Sequence, residues 1–208
     1  MNQLKFIIAI VSILSIVSCT KDSHEILPIN NLEDNGFSTE INNLVPDSII
    51  TIMENLGMPI YRGGNPPLLN AGYLTEPLTL MATNRSSDNI GQIFEDYVWT
   101  FSNCNLEDLT VVVDYQSDSG DLGNGVGSFI SGEGNEFTVF VEAINIDNDT
   151  GSEASVLYCL SGTLGADSIT DFYLCLIMLD DNSDPFDTYI EVGQGRVIID
   201  GDSVSPKV

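Results

Sequence analysis

The stretch Ala154-Ser155-Val156-Leu157-Tyr158-Cys159-Leu160-Ser161-Gly162, followed by Thr170-Asp171-Phe172-Tyr173-Leu174-Cys175-Leu176-Ile177-Met178-Leu179, decides the fold. Both runs are rich in aromatic, β-branched and other apolar residues, and Gly162 to Ser168 between them carries turn chemistry, so they read as an antiparallel hairpin. Their apolar residues occupy both faces instead of alternating. That pattern belongs to central strands of a sheet covered on two sides.

Around this hairpin the chain breaks into short runs separated by Asn, Asp and Gly. Strands are expected near 72–83, 92–102, 108–116, 127–131, 136–146, 152–162, 170–179 and 188–200. Regular spacing with no helical pattern between them predicts an all-β fold: an eight-stranded antiparallel barrel, with a β-sandwich as the alternative. A barrel of this size either fills itself with side chains or holds one small ligand. One helix is expected before the strands. In Pro46 to Gly57, Pro46 suits a first turn, Asp47 the positive end of the dipole and Gly57 the C-terminal cap. Ile49, Ile52, Met53 and Leu56 form a single apolar stripe there.

Composition narrows the function. The chain of 208 residues has six Lys and Arg against 31 Asp and Glu, a net charge of -25, and one histidine. Lysine occurs only at Lys5, Lys21 and Lys207, and the middle of the chain holds Arg62, Arg85 and Arg196. This field has the wrong sign for nucleic acid, whose phosphates need Lys and Arg. His24 lies outside the expected domain, which removes Ser-His-Asp and Cys-His catalysis. Zinc sites of Cys and His type lack ligands at suitable spacing. Neither a metal nor a cofactor is expected. The paired carboxylates Glu95-Asp96 and Glu107-Asp108 are adjacent, so on a strand they face opposite ways, and the residues point to no enzyme. The acidic stretches 147–153 and 180–187 offer oxygen ligands of the kind calcium uses. They complete no EF-hand, and Asn, Asp and Gly are also the residues of hairpin turns, so solvated turns are expected.

The N-terminus assigns a location. Lys5 precedes the apolar run Phe6 to Val17, a secretory signal over residues 1–18. It ends in Ile16-Val17-Ser18-Cys19, which resembles the bacterial lipobox, with Ile where that pattern prefers Leu. The resemblance implies that Cys19 carries lipid and becomes the mature N-terminus. Thr20-Lys21-Asp22 resembles the export signal of Bacteroidota-type surface lipoproteins. An outer-membrane protein, exposed at the cell surface, is implied. Residues 19–44 read as a polar tether reaching about 25 Å, residues 45–202 as the helix and barrel, and residues 203–208 as a loose tail.

Several short pieces resemble the same group: Leu56-Gly57-Met58-Pro59-Ile60-Tyr61, Asn65-Pro66-Pro67 with Gly72-Tyr73-Leu74, and Gly127-Ser128-Phe129-Ile130-Ser131-Gly132. Phe137-Thr138-Val139-Phe140, Ser161-Gly162-Thr163-Leu164 and Gly193-Gln194-Gly195-Arg196-Val197 continue the likeness. Together they are similar to Bacteroidota-type lipoproteins whose domain is described as lipocalin-like or calycin-like. The resemblance implies a β-barrel of uncharacterised role, for which binding of a small apolar molecule is one reading. True lipocalins have Gly-x-Trp on the first strand and a basic residue on the last; here Gly72-Tyr73-Leu74 lacks the Trp, and Arg196 stands in the last strand.

Strand parity supplies the candidate pocket. Tyr97, Trp99 and Phe101 fall on one face, as do Val111 with Val113 and Phe137 with Val139. Tyr158 on the sixth expected strand and Phe172 and Leu174 on the seventh join them. These ten residues either line a pocket for an apolar ligand or fill a core; a filled core would make the protein a structural module or one that docks on proteins or glycans. Tyr hydroxyls and the Trp99 indole are the expected polar handles. This parity sends Cys159 and Cys175 outward, beneath the helix stripe. A turn centred on Asp167 places Cys159 opposite Cys175, where a disulfide could form. The two-residue loop Ala166-Asp167 places Cys159 opposite Leu174 and leaves buried free thiols.

Overall fold

The computed structural model describes residues 32–119, 122–124, 126–147 and 150–208. The signal segment and Cys19 lie outside the described residues. Two short helices, α1 (Thr39–Leu44) and α2 (Asp47–Asn55), precede the strands β1 (Gly64–Asn65), β2 (Gly72–Thr75), β3 (Leu78–Thr83), β4 (Tyr97–Asn105), β5 (Thr110–Ser117) and β6 (Leu122–Asn124). The chain continues through β7 (Val126–Glu133), β8 (Glu136–Ile146), β9 (Glu153–Leu164), β10 (Ser168–Asp180), β11 (Gly195–Asp200) and β12 (Val204–Pro206).

All strands belong to one sheet, with the order β2-β4-β5-β7-β8-β9-β10-β11-β3 and antiparallel pairing along the whole path. It curls into a nearly closed barrel of nine strands, which sets the sandwich alternative aside. The count exceeds eight because the first expected strand breaks at the cis peptide Glu76–Pro77 into β2 and β3. Proline cannot donate to a ladder, so the break falls where the chain must change partners. The last expected strand begins later than read, at Gly195, because residues 191–194 make a turn closed by Gln194 N–H on the Glu191 carbonyl (2.9 Å).

A second break matches the first. After β11 the chain turns at residues 201–203, and β12 resumes along the early part of β10, with Ser168 opposite Pro206. β3 therefore pairs with β11, while β2 meets the end of the chain: Tyr73 bridges to Lys207, and Val208 N–H donates to the Gly72 carbonyl at 3.0 Å. The two breaks touch, with Gly201 N–H on the Pro77 carbonyl at 2.9 Å. The expectation of a loose tail at 203–208 is thus corrected. Ser205 is fully buried, and its hydroxyl donates to Asp200 Oδ2.

The central hairpin contains both registers read from the sequence. Next to the turn, Ile169 faces Leu164 and Thr170 faces Thr163, as the two-residue loop requires. A bulge at Asp171-Phe172 then shifts the ladder by one, so that Tyr173 faces Ser161 and Cys175 faces Cys159. Asp171 takes the bulge with φ 50, a left-handed conformation that Asp tolerates. Beyond the bulge Leu174 and Leu176 point inward, and Cys175 and Ile177 point outward.

The outward face is covered. Cys159, Cys175, Leu157, Ile177 and Phe140 pack against Ile50, Met53 and Met58, and against Phe37, Ile41 and Val45. The helix stripe reads slightly differently from expectation, since Ile50 is buried where Ile49 is only half-buried. The expectation of a polar tether through residue 44 is corrected for residues 37–44, which are docked. Ser38 caps α1 through its hydroxyl on Ile41 N–H, and Phe37 and Ile41 are buried, with Phe37 edge-on to Phe140 at 5.5 Å. Two apolar side chains in a polar stretch are enough to dock it, because each buried aromatic or aliphatic side chain contributes about 1.5–3 kcal/mol.

Candidate functional site

The barrel interior is divided. One end is solid: Phe101, Val111, Val113, Phe137 and Val139 are all buried and share one cluster with Leu69, Leu109 and Ile130. The Phe101 and Phe137 rings meet nearly edge-on at 6.2 Å. The other end holds a cavity of about 280 Å³. Its floor is Trp99, Leu174 and Ile198, and its aromatic wall is Tyr97, Tyr115 and Tyr158. The seam of the sheet lies between its terminal strands β2 and β3, and Leu78 of β3 and Phe94 complete the cavity lining.

The segment 91–94 straps that seam. Phe94 N–H donates to the Leu78 carbonyl at 2.8 Å and Leu80 N–H to the Gln92 carbonyl at 2.8 Å. Asp88, upstream in the same loop, fastens it to the barrel. Its carboxylate accepts from Arg196 Nε (2.7 Å) and Nη2 (2.9 Å), from Thr83 Oγ1 (3.0 Å) and from Arg85 Nη1 (3.3 Å). The Asp88 side chain is only 4% exposed. The Arg196 fork holds its carboxyl well below the usual range, at about 2. Arg196 itself lines the cavity, with its guanidinium carbon 5.8 Å from the centre of the Phe94 ring.

The four aromatic rings form one group. Tyr97 stacks on Trp99 at 5.6 Å, Tyr115 lies 5.3 Å from Trp99, and Tyr158 lies 6.1 Å from Trp99 and 5.9 Å from Tyr115. The Tyr158 hydroxyl accepts from Asn145 Nδ2 at 3.2 Å and is hydrogen bonded to Tyr115. Burial, the largest cause, keeps Tyr158 protonated far above neutral pH. Glu95 stands on the cavity wall, with its Oε2 accepting from Ser119 Oγ at 2.7 Å. This wall offers apolar surface, aromatic faces and a few hydrogen-bonding groups, the composition of a small-molecule site.

All ten residues chosen by parity belong to the interior, but they divide by height. Tyr97, Trp99, Tyr158 and Leu174 line the cavity. Phe101, Val111, Val113, Phe137, Val139 and Phe172 pack the solid core. Trp99 Nε1 is buried and has no hydrogen-bond partner within the described residues. The sequence reading missed Glu95, Phe94 and Arg196 as wall residues. Arg196 could have been found as one of three bases in the middle of the chain on the inward parity of its strand; Asp88 lies in a loop and carries no such signal.

Cys159 and Cys175 face each other, yet both are free thiols, buried under the helices, and Cys104 is free and half-buried. Of the two alternatives that the sequence leaves open, the structure has the buried free thiols and not the disulfide between Cys159 and Cys175. Burial pushes both thiols up, away from the reactive thiolate. The acidic loops use their carboxylates on their own turns: Asp147 Oδ1 accepts from Thr150 N–H (2.7 Å) and Asp181 Oδ1 from Ser183 N–H (3.0 Å). Asn148 and Asp149 lie outside the described residues. Comparison of the chain with protein-family models, with curated proteins and with solved structures returns no match.

Proposed function

We propose that this protein is an envelope lipoprotein, held in the outer membrane by a lipid on Cys19 and displayed at the cell surface, whose barrel binds a small apolar ligand. The observation that carries the binding role is the cavity of about 280 Å³ in the barrel interior, beside a cluster of fully buried side chains. Ligand pockets begin near 300 Å³, so it suits a compact molecule. Aromatic and aliphatic walls supply affinity, and the Tyr hydroxyls supply orientation. Binding, not catalysis, is the role of such a wall. The domain resembles the lipocalin-like lipoproteins in the pieces quoted above, and that likeness supports the same reading.

Trp99 is the only tryptophan and forms part of the cavity floor, so its fluorescence reports occupancy. Saturable quenching or a blue shift with small apolar compounds is expected, together with a ligand carried through native mass spectrometry of protein purified without detergent. The packed half of the interior favours a second reading, a structural domain that docks on envelope proteins or glycans. An unchanged spectrum with every compound would select it. For the anchor, Cys19→Ala should move the protein from the membrane to the soluble fraction; a variant that stays in the membrane refutes lipidation at Cys19.

A further inference from the structure

We propose that the ligand of the cavity is a small apolar cation, an alkyl- or arylammonium ion held by the faces of the tyrosines with Glu95 as its counter-charge. This rests on the cavity being a ligand site and adds the sign of the ligand's charge. Three observations carry it.

The first is the wall. Tyr97, Tyr115 and Tyr158 lie together on one side of the cavity, half-buried, beside Trp99. Aromatic faces carry negative potential, and several of them around one space attract an ammonium group within about 6 Å of a ring centre. Apolar ligands of any charge gain from the same rings, so the wall alone does not choose.

The second is the carboxylate. Glu95 joins the same wall, and the Ser119 hydroxyl fixes one of its oxygens at 2.7 Å. An anionic head would meet this carboxylate, while a cationic head is neutralised by it. The one cation in the wall, Arg196, does not offset Glu95, because its Nε and Nη2 are both committed to Asp88. Its plane also shows that this site tolerates a cation against an aromatic ring, at 5.8 Å from Phe94.

The third is the field of the whole chain. A net charge of -25 raises the local concentration of cations at the surface and repels anions, most strongly at low salt. Fatty acids, a natural first choice for an apolar barrel, carry the wrong charge on both counts.

The test compares three probes of equal chain length below their micellar concentrations: octyltrimethylammonium, octanoate and 1-octanol, each titrated against Trp99 fluorescence at 50 mM salt. The cation should bind at least tenfold tighter than octanoate. Glu95→Gln should weaken the cation about five- to tenfold and leave 1-octanol unchanged, and Tyr115→Leu should weaken the cation more than the alcohol. Octanoate binding as tightly as the cation overturns the proposal while leaving the cavity as a ligand site. Cation binding that ignores both variants is adsorption to the acidic surface and overturns it too. Silence from all three probes overturns the binding role itself.

Discussion

Asp88→Asn removes one charge from the strap over the cavity and keeps its shape. In the native protein the carboxylate is 4% exposed and is held by Arg196, Arg85 and Thr83, which lowers its pKa from 3.8 to about 2. One pH unit corresponds to about 1.4 kcal/mol, so the charged form contributes about 2 kcal/mol to folding. The sign follows from linkage: a carboxyl held low in the folded state gives stability that is complete above about 4 and vanishes as pH falls through about 2. At pH 6 the variant should therefore unfold with about 2 kcal/mol less free energy than the native protein. Urea titrations at pH 6, 4, 3 and 2, followed by circular dichroism, measure the gap. It should hold from pH 6 to 4, shrink at pH 3 and nearly close at pH 2. A gap that stays constant down to pH 2 would mean that the loss is one of packing, and the electrostatic account of the strap would fall.

Three further outcomes are expected. Gly132→Ala should destabilise by at least about 3 kcal/mol, since its φ of 147 is foreign to L-residues and a Cβ there would meet the Glu136 carbonyl; an unchanged Tm refutes the close approach of β7 and β8. Phe137→Ala, in the solid half of the barrel, should cost about 3–5 kcal/mol, and a cost below 1 kcal/mol would show that this half is loosely packed. Of the three cysteines among the described residues, native protein should expose only Cys104 to a thiol reagent, with Cys159 and Cys175 appearing on unfolding without reductant. Silence of the last two under those conditions would reveal a bridge.

Much of the barrel was legible because each long strand carries its own pattern. The alternation in Tyr97 to Phe101 and in Val111 to Val113 is a local property, and the five side chains it assigns inward lie in the interior cluster. The exterior layer over Cys159 was legible too, since a hairpin apolar on both faces needs a second cover. What escaped depends on contacts far apart in sequence. Nothing near Asp171 announces a bulge; it is set by the demand that one hairpin satisfy its turn and its neighbours together. Nothing in Val204-Ser205-Pro206 announces a strand, because its pattern is too short and its partner lies about 35 residues earlier. Phe37 and Ile41 were hidden by the polar residues around them. The height at which the interior changes from solid to hollow is set by the total volume of side chains from several strands, and no single run encodes that sum.

The matched breaks in the two seam strands have a consequence for how the protein is made. The sheet path runs through elements laid down in order, but β2 obtains its second neighbour only from residues 204–208, which leave the ribosome last among those described. Until then β2 and the first residues of β10 remain bare edges, able to recruit a strand from another chain. A growing chain is thus an open sheet until residues 204–208 are available to pair with β10 and β2. Chains shortened by only five residues at this end should accumulate as aggregates, even though they retain every residue of the cavity.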